Sequence, residues 1–572
     1  MSSNCELYLG ISDNSAMYRA NMKSCDILLV TLNSSFAHAA FGLRYLFANL
    51  GSALQARTKI LEFTTDKPVL DIAENLLSYQ PKIIGLGVYI WNAPQMLELV
   101  SAIKKVSPET CIVLGGPEVS HETSTQTICQ MADYTICGEG DFLFKEFCTA
   151  YLNRLNLTKY ESALVSNDAS SLQSDSLMSS SENADAILQN KIIRGPLPDI
   201  KSISSPYPYY SDFDIQNRTI YVEASRGCPY RCEYCLSSLD KGVRNFDVDL
   251  FLQDVQMLID KGCRQFKFID RTFNLSVTIS TKILQFFLDR IQLGLFLHFE
   301  MVPDRLPEEL RVLIVQFPAG SLQFEVGIQT LNKEVAKNIS RNNDLVKVEE
   351  NFRFLREKTG VHTHADLIVG LPGENVESFR LGFDQLMELG PDEIQVGILK
   401  RLKGTPIARH EKSFQMVYSE KAPYQILQTK DVSFTEMQWM SRFAKYWDLI
   451  ANSGNFVTCV KKIRQHCLEN QISSFDFYYQ LTQFFHTRHE KSFGISLLSL
   501  TESLYLFLTQ YFPEGSCREM IIHDYSTRGK RDIPKFLNTN ANSPRTANRK
   551  DATHASNIPP NIPHRQRLFL SE

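Results

Sequence analysis

Three cysteines, Cys228, Cys232 and Cys235, stand at the spacing C-x3-C-x2-C within the run Arg226-Gly227-Cys228-Pro229-Tyr230-Arg231-Cys232-Glu233-Tyr234-Cys235. Three thiolates in one tight loop can hold three irons of a cubane [4Fe–4S] cluster. The next cysteine is Cys263, so one iron would keep an open coordination position. An open iron can bind a small molecule directly, which suits chemistry better than electron storage. Gly227 and Pro229 suit a loop that turns tightly, and Tyr234 puts an aromatic beside the last cysteine. A zinc loop is one alternative, but zinc sites want four ligands, usually as two separated pairs. Three incidental thiols are the other.

A loop of this kind needs a rigid element to deliver it. The short strand Thr219–Glu223 ends just before the cysteines, and five further apolar runs follow: Gln265–Asp270, Leu295–Glu300, Gln323–Gln329, Thr363–Val369 and Glu393–Leu399. Strands alternating with helices suit a partial (βα)6 barrel, a TIM-like barrel left open on one side, over residues 216–405. Functional residues are expected at the strand C-termini. Glu325 and Gln329 end the fourth strand, four residues apart, which predicts one face for both.

A second alternation precedes the first. Asp26–Thr31, Thr58–Phe63, Lys82–Val88, Thr110–Gly116 and Tyr134–Cys137 are short apolar runs separated by helical spacings. This predicts a doubly wound parallel sheet over residues 23–155, with ligands at the carboxyl ends of its strands. Those ends carry Asn33 to Gly42, Tyr89 to Asn92, Gly115-Gly116-Pro117-Glu118 and Gly138-Glu139-Gly140-Asp141. The glycines would let backbone approach a large planar or phosphate-bearing ligand. An ordinary α/β domain with glycine turns is the alternative.

The cysteine spacing, with Tyr234 before the third cysteine, resembles the radical S-adenosylmethionine (radical SAM) enzymes. The set Leu114-Gly115-Gly116-Pro117-Glu118 and Cys137-Gly138-Glu139-Gly140-Asp141, ahead of such a core, is similar to the cobalamin-binding domain of the cobalamin-dependent members. The resemblance covers about residues 24–405 and implies a cluster on Cys228, Cys232 and Cys235 whose open iron binds SAM. It implies SAM contacts from Tyr234, Asp270, Glu325, Gln329, Arg341, Ile368, Gly370 and Leu371. It implies cobalamin contacts from Asn33, Tyr89, Trp91, Asn92, Gly115, Gly116, Pro117, Gly138, Glu139 and Gly140. The implied reaction cleaves SAM reductively to a 5′-deoxyadenosyl radical that takes hydrogen from a small-molecule substrate, with methyl transfer as the outcome. Radical cyclisation or rearrangement, or a non-catalytic cluster or cobalamin sensor, are the alternatives. An electron donor such as flavodoxin or ferredoxin is the implied partner. Two departures stand out. The D-x-H-x-x-G signature is absent, since Phe36 replaces its aspartate two residues before His38, so His38 need not bind cobalt. Asp270-Arg271-Thr272 replaces the G-G-E-like segment that holds the SAM amino group.

The remaining chain frames these two regions. Residues 1–22 read as a leader without the apolar core of a secretory signal. Residues 156–215 read as a serine-rich flexible insert and proline-rich linker, 406–537 as a helical domain, and 538–572 as a disordered tail. Within the helical domain Ser433 and Glu436 form a capping-box pattern, and Met440, Phe443, Ala444, Trp447, Ile450 and Ala451 recur at helical spacing. A net charge of −4 argues against a nucleic-acid or acidic-membrane partner. No apolar run is long enough to span a bilayer. Thirteen cysteines in 572 residues are too sparse for a disulfide framework, so Cys111, Cys137 and Cys263 read as buried thiols in a cytoplasmic protein.

Overall fold

The computed structural model describes residues 24–165, 186–240, 242–489, 494–526 and 534–537. The expected leader and tail, and residues 166–185 of the expected insert, lie outside the described residues. The chain divides into two compact units, Met1–Ser211 and Asp212–Glu572.

The first unit is built on a six-stranded parallel sheet. Its strands are β1 (Ile27–Asn33), β2 (Thr58–Thr64), β3 (Ile83–Gly87), β4 (Cys111–Gly115), β5 (Tyr134–Cys137) and β6 (Ile192–Arg194), in the order β2-β1-β3-β4-β5-β6. β1 is buried along all seven residues, as a central strand covered on both faces requires. One face packs α2 (Val69–Leu77) and α3 (Ala93–Val106), through Ile72, Leu76, Leu99 and Ile103. The other packs α1 (Phe41–Asn49) and α4 (Leu143–Val165), through Leu43, Phe144 and Phe147. The order reverses between β1 and β3, and in such sheets the ligand crevice opens at that switch point. β6 is a correction to the sequence reading. The sequence reading places these residues in a linker, yet β6 pairs in parallel with β5 through Thr135–Ile192 to Cys137–Arg194. Three residues after a serine-rich stretch are too short a run to signal a strand.

The second unit holds another open parallel sheet: β7 (Ile220–Val222), β10 (Gln265–Phe268), β11 (Phe296–Met301), β12 (Leu322–Gln329), β13 (His362–Val369) and β14 (Glu393–Ile398). Their order is β14-β13-β12-β11-β10-β7, so β14 and β7 are edges and the barrel stays open. A small antiparallel pair, β8 (Ser225–Arg226) and β9 (Arg244–Asn245), brackets the cysteine loop. One face of the large sheet is aromatic: Phe268, Phe299 and Phe324 are fully buried and in ring contact in series.

Helices follow the barrel strands. α5 (Phe434–Trp447) starts with the capping box formed by Ser433 and Glu436. α6 (Val457–Glu469), α7 (Ser474–Arg488), α8 (Leu497–Leu508) and α9 (Glu514–Ser526) complete the helical part. Met440, Phe443, Trp447, Ile450 and Ala451 are buried, with Tyr446 joining them. This part also covers the β14 edge. Trp447 Nε1 and Asn452 Nδ2 both donate to the Ile394 carbonyl, and Ile394 N donates to Asn452 Oδ1 at 3.2 Å. An edge strand with paired backbone no longer templates association.

Candidate functional site

The cysteine loop leaves β8 and is fixed from several sides. Gly227 sits at φ 93°, and a Cβ there would collide with the Gly242 carbonyl, so the hairpin requires glycine. The loop is entered under control of Asp270. Both of its oxygens accept from Ala224 N, at 3.2 and 3.0 Å, and Oδ1 accepts from Ser225 Oγ at 2.5 Å. Burial pushes the Asp270 carboxyl up to about 7, although these donors pull the other way. The Asp270 side chain is thus bonded to the entry of the cysteine loop. Within the loop Cys232 is buried, and Cys228 and Cys235 are half-buried. Arg341 Nη1 donates to Cys232 Sγ at 3.4 Å and to Tyr234 Oη at 3.2 Å, and Nη2 donates to the Gly327 carbonyl. Cys263 lies apart, 1% exposed, with its thiol on the Gln265 carbonyl.

The second face of the barrel sheet is polar. By the period of two along a strand, Lys267, His298, Glu300, Gln323, Glu325, His364 and Asp366 share it, and the register sets Glu300 beside Glu325 and Glu325 beside His364. His298 Nε2 lies 3.0 Å from Glu325 Oε2, and Lys267 Nζ lies 3.6 Å from the same oxygen. Burial alone would raise the Glu325 carboxyl, but the His298 hydrogen bond and the Lys267 charge hold it at about 2. Asp366 is driven well above the carboxylate range, by burial and then by the Glu325 and Glu300 charges. Two oppositely perturbed carboxyls on one wet face mark a site more readily than a structural layer.

Gln329 needs a correction of route. A β-bulge between Gly327 and Gln329 breaks the simple alternation, and Gln329 takes φ 72°. Its amide still returns to this face: a Cβ on Gly327 would lie 2.5 Å from Gln329 Nε2 and 3.3 Å from Arg341 Nη2. Gly327 thus leaves the notch into which Gln329 and Arg341 fold. Ile368 shares the face by parity, while Gly370 (φ 89°) and Leu371 turn away from β13. A Cβ on Gly370 would press on Ile426 and Met437.

In the first unit the predicted residues gather at the carboxyl ends of β1, β3, β4 and β5. Tyr89 and Trp91 stack at 4.4 Å with 8° between ring planes, and Trp91 remains 47% exposed. Trp91 Nε1 and Asn92 Nδ2 both donate to the Leu32 carbonyl, at 3.2 and 3.0 Å, tying the two strands at the switch point. Asn92 is fully buried and Asn33 bonds the His38 carbonyl and Glu62, so both amides act on the fold. Gly116 (φ 107°) packs on Val88 backbone, and Gly138 (φ 80°) has open space where a Cβ would stand. Gly115, Glu139 and Gly140 are half-exposed and Pro117 is exposed along the same rim.

Family models match three parts of the chain: a B12 binding domain at residues 27–147, the radical SAM superfamily at residues 222–385, and a family described as a protein of unknown function (DUF4080) at residues 412–568. The chain carries a B12-binding domain and a radical SAM domain. It is 23% identical over 379 residues to an uncharacterized methyltransferase of Pyrococcus horikoshii, covering 64% of this chain and 76% of that one. It is 22% identical to the cobalamin-dependent radical SAM methyltransferase TokK of Streptomyces tokunonensis, covering 60% of this chain and 50% of TokK. It therefore spans about half of TokK. Among solved structures, the cobalamin-dependent SAM radical enzyme OxsB, with aqua-cobalamin and SAM bound, superposes with a TM-score of 0.55 at 12% identity, over 91% of this chain and 83% of OxsB. That likeness is one of fold.

The residues present fit the groups these domains take. In the radical SAM domain, no three His, Cys, Asp or Glu side chains among the described residues could hold a single metal ion. The free cysteines Cys228, Cys232 and Cys235 lie in one eight-residue loop, the donor set a cubane cluster takes. Arg341 Nε is buried without a hydrogen-bond partner beside Cys232 and Gln329, a donor left for an anionic group such as a SAM carboxylate. In the B12-binding domain, the glycine rim and the Trp91–Tyr89 stack, with Trp91 exposed, suit a large planar ring.

Lys267, His298, Glu300, His364 and Asp366 did not emerge from the sequence. Their signal was present. A parallel strand covered on both faces reads as continuously apolar, whereas Gln265-Phe266-Lys267-Phe268, His298-Phe299-Glu300 and His364-Ala365-Asp366-Leu367 alternate. Alternation in a parallel sheet marks a wet inner face. Among the described residues no helix is long and apolar enough to cross a membrane.

Proposed function

We propose that the protein is a radical SAM enzyme that transfers a methyl group to carbon of a small-molecule substrate with the help of cobalamin. The observation that carries the reading is the three-thiol loop delivered to the end of an open parallel sheet whose inner face is polar. When bound, a [4Fe–4S] cluster on Cys228, Cys232 and Cys235 supplies the electron that cleaves SAM, and cobalamin supplies the methyl group. The chain's own residues bind and orient. Arg341 holds Tyr234 and Cys232 with one nitrogen and keeps Nε for the SAM carboxylate. Gln329 and Glu325 present an amide and a carboxylate to the rest of SAM, and Ile368 to Leu371 flank its adenine. Asp366, whose carboxyl is pushed up by burial and then by the Glu325 and Glu300 charges, lies on the same polar face. At the rim of the first unit, Tyr89, Trp91, Gly115, Gly116, Pro117, Gly138, Glu139 and Gly140 cradle the cobalamin. A one-electron donor such as a flavodoxin or ferredoxin is the partner this chemistry needs.

The test compares metabolites of a deletion strain and its parent, both fed methionine labelled on its methyl group. A compound carrying the label only in the parent is expected. Identical labelled profiles, with the protein expressed in the parent, would overturn methyl transfer.

A further inference from the structure

Between the second and third cysteines lies Glu233, a carboxylate only 2% exposed. Nothing in the cysteine spacing calls for an acid there. A buried carboxylate is costly unless paired, and this one is paired from two directions. Ser340 Oγ donates to Oε1 at 2.6 Å, and the Arg409 guanidinium meets the same oxygen. His410 Nε2 lies 2.8 Å from Oε2. The backbone of the same residue is held as well: Glu233 N donates to the Ile339 carbonyl at 3.1 Å, and the Glu233 carbonyl accepts from Ile407 N at 2.9 Å.

These partners come from two segments distant in sequence. Ile339 and Ser340 follow the short helix Lys333–Asn338 after β12, and Ser340 sits at φ 55°, a region that side-chain-bearing residues rarely occupy. Ile407, Arg409 and His410 belong to the first turn beyond the barrel. Three bonds onto the carboxylate and two onto the backbone, drawn from both segments, fix this one residue at five points. Arg341 meanwhile grips the neighbouring Cys232 and Tyr234.

We propose that Glu233, Arg409, His410 and Ser340 form a clasp that pre-sets the cysteine loop in its cluster-binding shape, so that Glu233 is a positioning residue for the cluster. This rests on the cluster reading above. Its physical content is entropic: an eight-residue loop that must order itself around a cluster binds it more weakly than one ordered beforehand. The clasp also sets a buried carboxylate one residue from Cys232 and pairs it with the Arg409 guanidinium, so it bears on the electrostatics at the cluster.

The experiment uses the full chain, reconstituted anaerobically with iron and sulfide, and measures iron release to bathophenanthroline disulfonate together with the reduced cluster's electron paramagnetic resonance spectrum. Arg409 is 62% exposed, so substitution there spares the fold even where Glu233→Gln does not. Arg409→Met and His410→Gln should each release iron about tenfold faster, the effect of losing one charge-assisted hydrogen bond from a paired acid. Arg409→Lys should restore most of the retention, and Glu233→Gln/Arg409→Met should be no faster than Glu233→Gln. The spectrum of Arg409→Met should shift while its apo thermal midpoint stays with the parent. Wild-type release rates and spectra in Arg409→Met and His410→Gln, in protein that loads iron normally, would overturn the clasp alone. A parent chain that takes up no more iron than Cys228→Ser would overturn the cluster reading and the clasp with it.

Discussion

Glu374 offers a prediction whose size follows from its surroundings. It ends the Gly370-Leu371-Pro372-Gly373 turn after β13, is 3% exposed, and accepts from Thr330 Oγ1 at 2.7 Å. Burial raises its carboxyl from 4.5 to about 7, with the Thr330 and Ser378 hydroxyls opposing only in part. The folded chain therefore binds this proton more tightly than the unfolded chain, and stability falls as pH rises between those values. The contribution is whole below pH 4.5 and is lost above about pH 7, a span of about 3 kcal/mol at 1.36 kcal/mol per unit. Glu374→Gln keeps the acceptor and removes the titration. From pH 5.5 to pH 8 the variant should gain about 2 kcal/mol on the parent, roughly 3 °C in thermal midpoint for a unit of several hundred residues. The assay is thermal unfolding of the apo proteins by circular dichroism at both pH values. Midpoints that move in parallel would show that the carboxyl is not held neutral and would refute the burial argument.

Other outcomes can be checked with the same preparations. Serine at any one of Cys228, Cys232 or Cys235 should lose most reconstituted iron and all SAM cleavage, while Cys263→Ala should keep both; equal iron loss from Cys263→Ala would mean a four-cysteine site. Glu325→Ala and Gln329→Ala should keep their iron yet weaken SAM binding ten- to a hundredfold, the cost of one charged or buried hydrogen bond, about 1.5–3 kcal/mol; unchanged affinity in both would remove β12 from the site. A fragment of residues 24–211 should bind hydroxocobalamin, seen by its visible spectrum after gel filtration, whereas one ending at residue 155 lacks β6 and should bind it poorly; no retention by the longer fragment would sink the cobalamin assignment.

Much of this was legible in the residues. The six barrel strands lie within one or two residues of their apolar runs, because parallel strands flanked by glycine and amphipathic helices leave few other readings. The capping box at Ser433 and the strand-end position of the cysteine loop follow from local chemistry. What escaped depends on long-range pairing. β6 is only Ile192 to Arg194 and exists because β5 offers it an edge. The clasp on Glu233 joins residues more than 100 positions apart. The bonds from Ala224 and Ser225 to the Asp270 carboxylate also join residues far apart in the chain, which sequence order alone could not reveal. The bulge at Gly327 likewise hides from a period-two count.

The central claim is that the three-thiol loop leaves an iron open to SAM. The direct test incubates the anaerobically reconstituted full chain with SAM and dithionite and follows 5′-deoxyadenosine by mass spectrometry, with the reduced cluster's paramagnetic resonance recorded before and after SAM. The account predicts 5′-deoxyadenosine in the parent, none in Cys232→Ser, and a spectrum that changes when SAM is added. A reducible cluster with an unaltered spectrum and intact SAM would contradict it.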